Sequence, residues 1–413
     1  MAETLSADEK IALIKEQLQE VLKPEIIEDV IKKQNRPLVI YWGTATTGRP
    51  HCGYFVPMVK IAHFLKAGCK VKILLADIHG FLDNLKAPIE LVKFRAEYYK
   101  FVIIALLKSV NVPIERLEFV LGSSYQLSEK YTMDLFRLSS VVTEHDAKKA
   151  GAEVVKQVEN STLSGLIYPL MQALDEEHLG VDAQFGGVDQ RKIFTLAAEQ
   201  LPRVNYKERA HLMNPMVPGL AGGKMSSSDP DSKIDVLEVA DVVRRKLKKA
   251  HAAPKEVDGN GIISFVEYVL LPVSALKSGG QGKFVVERKD AEPLIYTDIA
   301  SLKKDYVADI LMPQMLKPAT TNALLELLQP IQEEYQRTPE WQEIDKKAYP
   351  PVEVKKKEKK VKDRGTRFPG TAAKDVEAKP DGHVEGKEKA KVDLAEGAED
   401  AMRNLDVKTN GTV

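Results

Sequence analysis

Lys224, Met225, Ser226, Ser227 and Ser228 follow Gly222-Gly223 and precede Asp229-Pro230, so a single lysine rides on a glycine-hinged, serine-rich loop. A movable ammonium of this kind suits a polyphosphate whose charge redistributes during a reaction. A plain surface loop would have the same composition. Its weight comes from a second segment far upstream, Tyr41 to Tyr54. There Thr44, Thr46 and Thr47 offer hydroxyls, and Gly43, Gly48 and Gly53 allow close backbone approach. His51 lies just before an expected helix N-terminus, where backbone N–H groups favour an anion. A helix-capping loop with an incidental histidine is the alternative. Cys52 has no evident partner base and reads as a packing residue.

Three further groups stand out. Tyr168, Gln172 and Asp175, spaced by four and three, fall on one helix face. A phenol, an amide and a carboxylate there could read a small zwitterion with a polar tip. A buried carboxylate that accepts from a ligand hydroxyl can reject the analogue lacking it by about four to five orders of magnitude. An amphipathic helix with a polar outer face would show the same spacing. Gly186-Gly187 ends an expected strand, and Asp189 could accept from ribose hydroxyls or cap the next helix. Arg244, Arg245, Lys246, Lys248 and Lys249 crowd one helix, suited to a phosphate backbone or to a solvated face.

The elements that must position these groups follow from periodicity. Ile11, Ile14, Leu18, Val21 and Leu22 recur at helical spacing, giving an amphipathic helix within residues 1–36. A strand over 38–41, a helix over 53–67 with its Thr/Gly loop before it, and a strand over 70–77 make a βαβ unit and hence a parallel sheet. Helices are expected over 89–109 and 134–157, with Pro169 in the first turn of the helix that carries Tyr168. A strand covers 181–185, and a helix begins near Asp189. Ligands of such sheets bind outside the carboxyl ends of the strands. Beyond residue 232 the texture is charged, Leu-rich and helical, with helices over 242–250 and 323–335. From Pro350 the chain is poor in apolar residues and reads as disordered, with eight basic against two acidic residues over 355–367.

The 413 residues allow two domains and a tail, and 44% hydrophobic content supports a sizeable core. Sixty basic residues balance sixty acidic ones, so any nucleic-acid surface must be a local patch. Two cysteines imply no disulfide framework. The acidic N-terminus argues against a secretory or mitochondrial leader, and no run of eighteen apolar residues is present, so a cytoplasmic protein without a membrane span is expected.

Taken in order, Pro50-His51-Cys52-Gly53-Tyr54, Tyr168 to Asp175, Gln184 to Lys192, Leu212 to Leu220 and Lys224 to Ser228 resemble the signatures of class I aminoacyl-tRNA synthetases. The resemblance is nearest to the eukaryotic, fungal-like cytosolic tyrosyl-tRNA synthetase family, over roughly residues 38–349. It implies an α/β fold: a Rossmann-like parallel-sheet catalytic domain over 37–231 with connective helices at about 93–157, a helical anticodon-binding domain over 232–349, and a tail over 350–413. It implies tyrosine activation by ATP, release of pyrophosphate and transfer to the 3′ end of tRNA(Tyr), with Mg2+ carried mainly by the phosphates, no protein metal site, and a homodimer built on the connective helices.

By the same resemblance Tyr41 and Asp175 would hold the substrate's phenolic hydroxyl, with His79 lining the pocket. Tyr168 and Gln172 would meet its amino group and Gln190 its carboxyl end. Gly53, Gly187, Asp189, Lys224 and Met225 would form the ATP site. His51, Lys224, Ser227, Ser228, Thr46 and Thr47 would act at the reacting phosphates, and the Arg244–Lys249 run would face tRNA. Tyr54 and Ser227 stand where many relatives have a second histidine and a second lysine, both usual in eukaryotic members. Lys224 is then the loop's only cation, and further charge is expected from magnesium, a monovalent ion or His51. Met315 stands where an acid commonly reads the first anticodon base. Lys93-Phe94-Arg95 replaces the Glu-Leu-Arg of animal relatives, so no signalling role is inferred.

Overall fold

The computed structural model describes residues 5–83, 88–112, 114–154, 162–219 and 233–350. Six strands form one sheet in the order β1 (Glu20–Leu22), β6 (Ala210–Asn214), β5 (Ala183–Gly187), β2 (Val39–Ala45), β3 (Lys70–Ala76) and β4 (Leu117–Leu121). Only β1 runs antiparallel, paired to β6 from Glu20 opposite Met213 to Leu22 opposite His211. The central strands are largely buried on both faces, as continuous apolar runs such as Ile73 to Ala76 require. The chain builds outward from β2 through β3 to β4, then returns to place β5 on the other side of β2. The strand order therefore reverses between β2 and β5, where an open α/β sheet leaves a crevice at its carboxyl end.

The amino ends of β2 and β5, at the edge of the sheet opposite that crevice, are locked by charge. Arg36 grips Asp182 with two parallel bonds of 2.6 and 2.7 Å, and Asp182 also accepts from Val39 N at 3.0 Å. Burial alone would raise the Asp182 carboxyl, but these donors outweigh it and hold the group below its ordinary range. Helix Phe55–Lys66 is apolar on nearly every side, because it lies between the sheet and Ala7–Lys15, Ile89–Ser109 and Val266–Leu270.

Several elements differ from expectation. The amphipathic N-terminal helix stops at Lys15, and Val21 and Leu22 sit in β1. Three strand residues are too few for period two to compete with the helical reading. The stretch 134–157 is not one helix. Glu129–Ser139 ends, and Glu144–Gly151 restarts with Thr143 accepting from Asp146 N. Residues 155–157 lie outside the described range. Pro169 falls inside helix Leu163–His178 rather than in its first turn. Lacking an N–H, Pro169 cannot donate to the carbonyl of Gly165, which is half-buried in the turn before it.

The C-terminal part is helical with one addition, the hairpin β7 (Phe284–Arg288) and β8 (Ala291–Tyr296). Its longest helix is Pro313–Arg337, followed by Pro339–Ala348. The helical stretch Gly261–Ser278 has a mean hydropathy of 1.4 over 18 residues, long and apolar enough by composition to cross a membrane. Its Ile262, Ile263, Val266, Val269 and Leu270 are buried in the core instead.

Candidate active site

The crevice between β2 and β5 opens into a cavity of about 370 Å³. Tyr41 to Ala45 of β2 and Gln184 to Gly187 of β5 form two walls, and His79, Tyr168, Gln172, Asp175, Asp189 and Gln190 complete it. The structure thus brings together all six residues expected to bind the amino acid and two of those expected to bind nucleotide.

At the closed end Asp175 is fully buried. Its Oδ1 accepts from Tyr125 Oη at 2.7 Å, Gln126 Nε2 at 2.8 Å and Tyr131 Oη at 3.0 Å. Its Oδ2 has no hydrogen-bond partner among the described residues. Burial pushes this carboxyl up to about 7 despite the three donors. Facing Oδ2 at 3.8 Å is His79 Nε2, also buried and unpartnered. Burial lowers His79 to about 4, so its ring is neutral at pH 7. Gln126 Nε2 lies 3.4 Å from His79 Nδ1, and the backbone carbonyl of Tyr168 also takes a hydrogen bond from this ring. Asp175 Oδ2 and His79 Nε2 are thus two polar atoms too far apart to bond each other, both without a partner among the described residues. A hydroxyl between them would reach both and donate to Asp175. Tyr41 stands beside this gap with its own proton committed to Gln172 O at 3.2 Å, leaving its oxygen lone pairs open.

Toward the mouth Gln172 Nε2 donates to Gln190 Oε1 at 3.1 Å, joining the helix face to the turn after β5. Tyr168 packs edge-on to His79 with ring centroids 4.6 Å apart. The two glycines of that turn have distinct causes. A Cβ on Gly186 would come within 2.9 Å of the Phe194 ring, and one on Gly187 would run into the Asp189 carboxylate. Asp189 does not cap the following helix. It lies in the 3₁₀ turn Val188–Gln190, and Arg191–Gln200 starts from Gln190 without a side-chain cap.

The signature segment closes the same end of the sheet. His51 caps the 3₁₀ turn Cys52–Tyr54, with Nδ1 accepting from Gly53 N at 3.2 Å. The ring proton therefore sits on Nε2. Burial, helped by Lys233, lowers His51 to about 4. At pH 7 in the free protein its ring is therefore a neutral Nε2–H donor. Tyr54 packs edge-on to His51, and its hydroxyl lies 3.0 Å from Thr44 Oγ1 on the cavity wall. His51 also bridges Asp235, and Cys52 N donates to Ile234 O at 2.8 Å. This pins the signature to the chain just after residue 232. Burial pushes the Cys52 thiol up to about 12, as a packing residue requires. Thr46 is buried with no partner for its Oγ1 among the described residues, and Thr47 N donates to Ala45 O. Lys224, Met225, Ser227 and Ser228 lie outside the described residues.

Helix Ala240–Lys249 buries Val243 and Leu247 and exposes Arg244, Arg245, Lys248 and Lys249. Lys246 instead pairs with Glu238 at 2.7 Å and donates to Lys233 O. Among the described residues no three His, Cys, Asp or Glu side chains converge to hold a metal. Sequence reasoning missed Tyr125, Gln126 and Tyr131, the donors that orient Asp175. They come from Ser123–Gln126 and Glu129–Ser139, with no spacing that ties them to it.

An open, mostly parallel sheet with a cavity at its switch point that ends on a buried carboxyl, walled by a threonine- and glycine-rich loop, defines a small-ligand and nucleotide enzyme of the doubly wound class. The chain belongs to the family described as tRNA synthetases class I (W and Y), which matches residues 32–329. It is 56% identical over 375 residues to the cytoplasmic tyrosine–tRNA ligase of Saccharomyces cerevisiae, covering 89% of this chain and 95% of that one. It is 55% identical to the corresponding protein of Danio rerio over 85% of this chain, but spans only 65% of that relative's length. A crystal structure of the Archaeoglobus fulgidus tyrosyl-tRNA synthetase with L-tyrosine is 35% identical. It superposes with a TM-score of 0.73 over 79% of this chain and 99% of that one.

Proposed function

We propose that this chain is a cytoplasmic tyrosine–tRNA ligase. The carboxylate of tyrosine attacks the α-phosphorus of ATP, the bond to the β-phosphate oxygen breaks, and pyrophosphate leaves. The 3′-terminal hydroxyl of tRNA(Tyr) then attacks the adenylate carbonyl and AMP departs. No enzyme nucleophile is required, so the protein contributes positioning and charge. The observation that carries the choice of amino acid is the gap between Asp175 Oδ2 and His79 Nε2, two buried polar atoms without partners among the described residues. A phenol fills both valences; a phenyl ring would leave both unmet, and each such loss costs about 1–3 kcal/mol.

In this reading Tyr41, Asp175 and His79 hold the hydroxyl, Tyr168 and Gln172 the amino group, and Gln190 the carboxyl end. Gly53, Gly187 and Asp189 line the adenosine side. His51 donates from Nε2 to phosphate oxygens alongside Thr46 and Thr47, while Lys224 with Met225, Ser227 and Ser228 completes the triphosphate site. Magnesium arrives on the phosphates as part of the substrate.

In this reading the catalytic unit spans 37–231 and the anticodon-binding unit 232–349. Supporting the latter is a groove of about 1230 Å³ bounded by the hairpin and helix Pro313–Arg337, where Lys277, Lys283, Arg288 and Lys289 stand beside Met315 together with Glu287, Asp290 and Glu326. The exposed apolar side chains Leu127, Met133, Phe136 and Leu163 support a homodimer built on the connective helices.

ATP–pyrophosphate exchange with each amino acid in turn tests the reading. Tyrosine-dependent exchange followed by charging of tRNA(Tyr) is expected. Exchange driven by tryptophan, or by no amino acid, would overturn it.

A further inference from the structure

We infer that the end of the last helix, Ala348 and Tyr349, acts with Arg95 and Tyr99 as a brace that sets the conformation of the loop Thr46–Gly48. These are positioning residues for ATP, an inference that rests on the function proposed above. The loop joins β2 to the signature turn and cannot hold itself. Among the described residues its one internal backbone bond is Thr47 N to Ala45 O. Its carbonyls are held from outside. Thr47 O accepts from Arg95 Nη1 at 2.7 Å. Gly48 O accepts from Tyr99 Oη at 2.6 Å and from Tyr349 Oη at 2.8 Å, the latter about 300 residues away in the chain.

The brace is itself tied together. Arg95 Nε donates to Ala348 O at 3.2 Å. Arg49, the next loop residue, donates to Asp345 at 2.7 Å and lays its guanidinium 4.4 Å from the centre of the Tyr349 ring. Tyr99 continues inward to Tyr54 at 3.5 Å, and Tyr54 to Thr44 Oγ1 on the cavity wall.

Peptide geometry turns this fixation into function. A trans peptide sets its C=O and N–H on opposite sides. With the carbonyls of Thr47 and Gly48 drawn to the brace, the N–H groups of Gly48 and Arg49 are aimed away from it. Two successive amides with one orientation suit an anion. The tyrosine end of the cavity, built on Asp175, takes no bond from these residues. The brace should therefore act on ATP and leave tyrosine alone.

In the full chain, Tyr349→Phe removes one hydroxyl and Arg95→Gln removes the charge that holds Thr47 O, with Arg95→Lys as the conservative replacement. ATP dependence is read in tyrosine-dependent pyrophosphate exchange, and tyrosine affinity by equilibrium dialysis without ATP. Tyr349→Phe should lower kcat/KM for ATP about two- to tenfold, the span of one neutral hydrogen bond. Arg95→Gln should lower it more, Arg95→Lys should recover part of the loss, and tyrosine affinity should stay unchanged in all three. Unaltered ATP parameters in Tyr349→Phe and Arg95→Gln, or tyrosine affinity falling in step with ATP, would overturn the brace. Absence of tyrosine-dependent exchange in the unaltered chain would instead remove the function on which it rests.

Discussion

Asp175→Asn separates what the buried carboxylate does for the ligand from what it costs the fold. In the free protein burial raises the carboxyl from 3.8 to about 7. Its ionised form is thus disfavoured in the folded state relative to the unfolded chain. The sign follows: the folded state binds the extra proton, so stability falls as pH rises from 3.8, and the cost is fully present above 7. That displacement amounts to about 4 kcal/mol at pH 8 and about 2 kcal/mol at pH 5. The asparagine keeps an oxygen for Tyr125, Gln126 and Tyr131 and puts an uncharged NH2 at the Oδ2 position. The variant should therefore melt higher than the parent, with the larger gain at pH 8. It should also lose its ligand-reading acceptor. The bond from a phenol to a carboxylate is worth about 1.5–3 kcal/mol, so preference for tyrosine over phenylalanine should drop by about ten- to a hundredfold or more. Thermal melts at pH 5 and 8, with exchange assays on both amino acids, measure the two effects. Equal melting temperatures at pH 8, a gain that ignores pH, or intact discrimination would refute the reasoning.

Lys224→Ala should slow adenylate formation far more than it weakens tyrosine binding; pyrophosphate release at the parental rate in a pre-steady-state experiment would count against it. His51 and His79, both lowered from 6.5 to about 4 by burial, bind protons better unfolded than folded. Stability should therefore be full above pH 6.5 and fall as pH drops toward 4. His51→Gln should flatten that slope, read as urea midpoints at pH 5 and 7.5. Phe136→Asp, on the exposed face of Glu129–Ser139, should shift the protein to a monomer in sedimentation velocity; an unchanged sedimentation coefficient would contradict the dimer face.

What sequence could reveal depended on whether a signal was local. Helix Ile89–Ser109 appears with the limits its periodicity sets, and β2, β3 and the helix between them follow from apolar runs bounded by glycine. Tyr168, Gln172 and Asp175 do share a helix face, and that face looks into a cavity rather than solvent. Spacing alone could not decide this, because a polar stripe has the same period whether it meets water or a pocket. The break at residues 140–143 was hidden because helical apolar spacing continues through it, while Thr143 caps a new start. Tyr125, Gln126 and Tyr131 were illegible because their partner lies more than forty residues away, with only tertiary packing to join them. The charge state of His51 was likewise invisible, since it comes from burial and from Lys233.

The short antiparallel pairing of Glu20–Leu22 on β6 bears on how this chain is made. β6 is fully buried, and without a neighbour its free side would be a template for pairing with other chains. Its cover is translated before the rest of the sheet, whereas β6 is the last strand of that sheet to appear. During synthesis the vulnerable edge therefore emerges only when its guard already exists, which keeps the window for intermolecular pairing short.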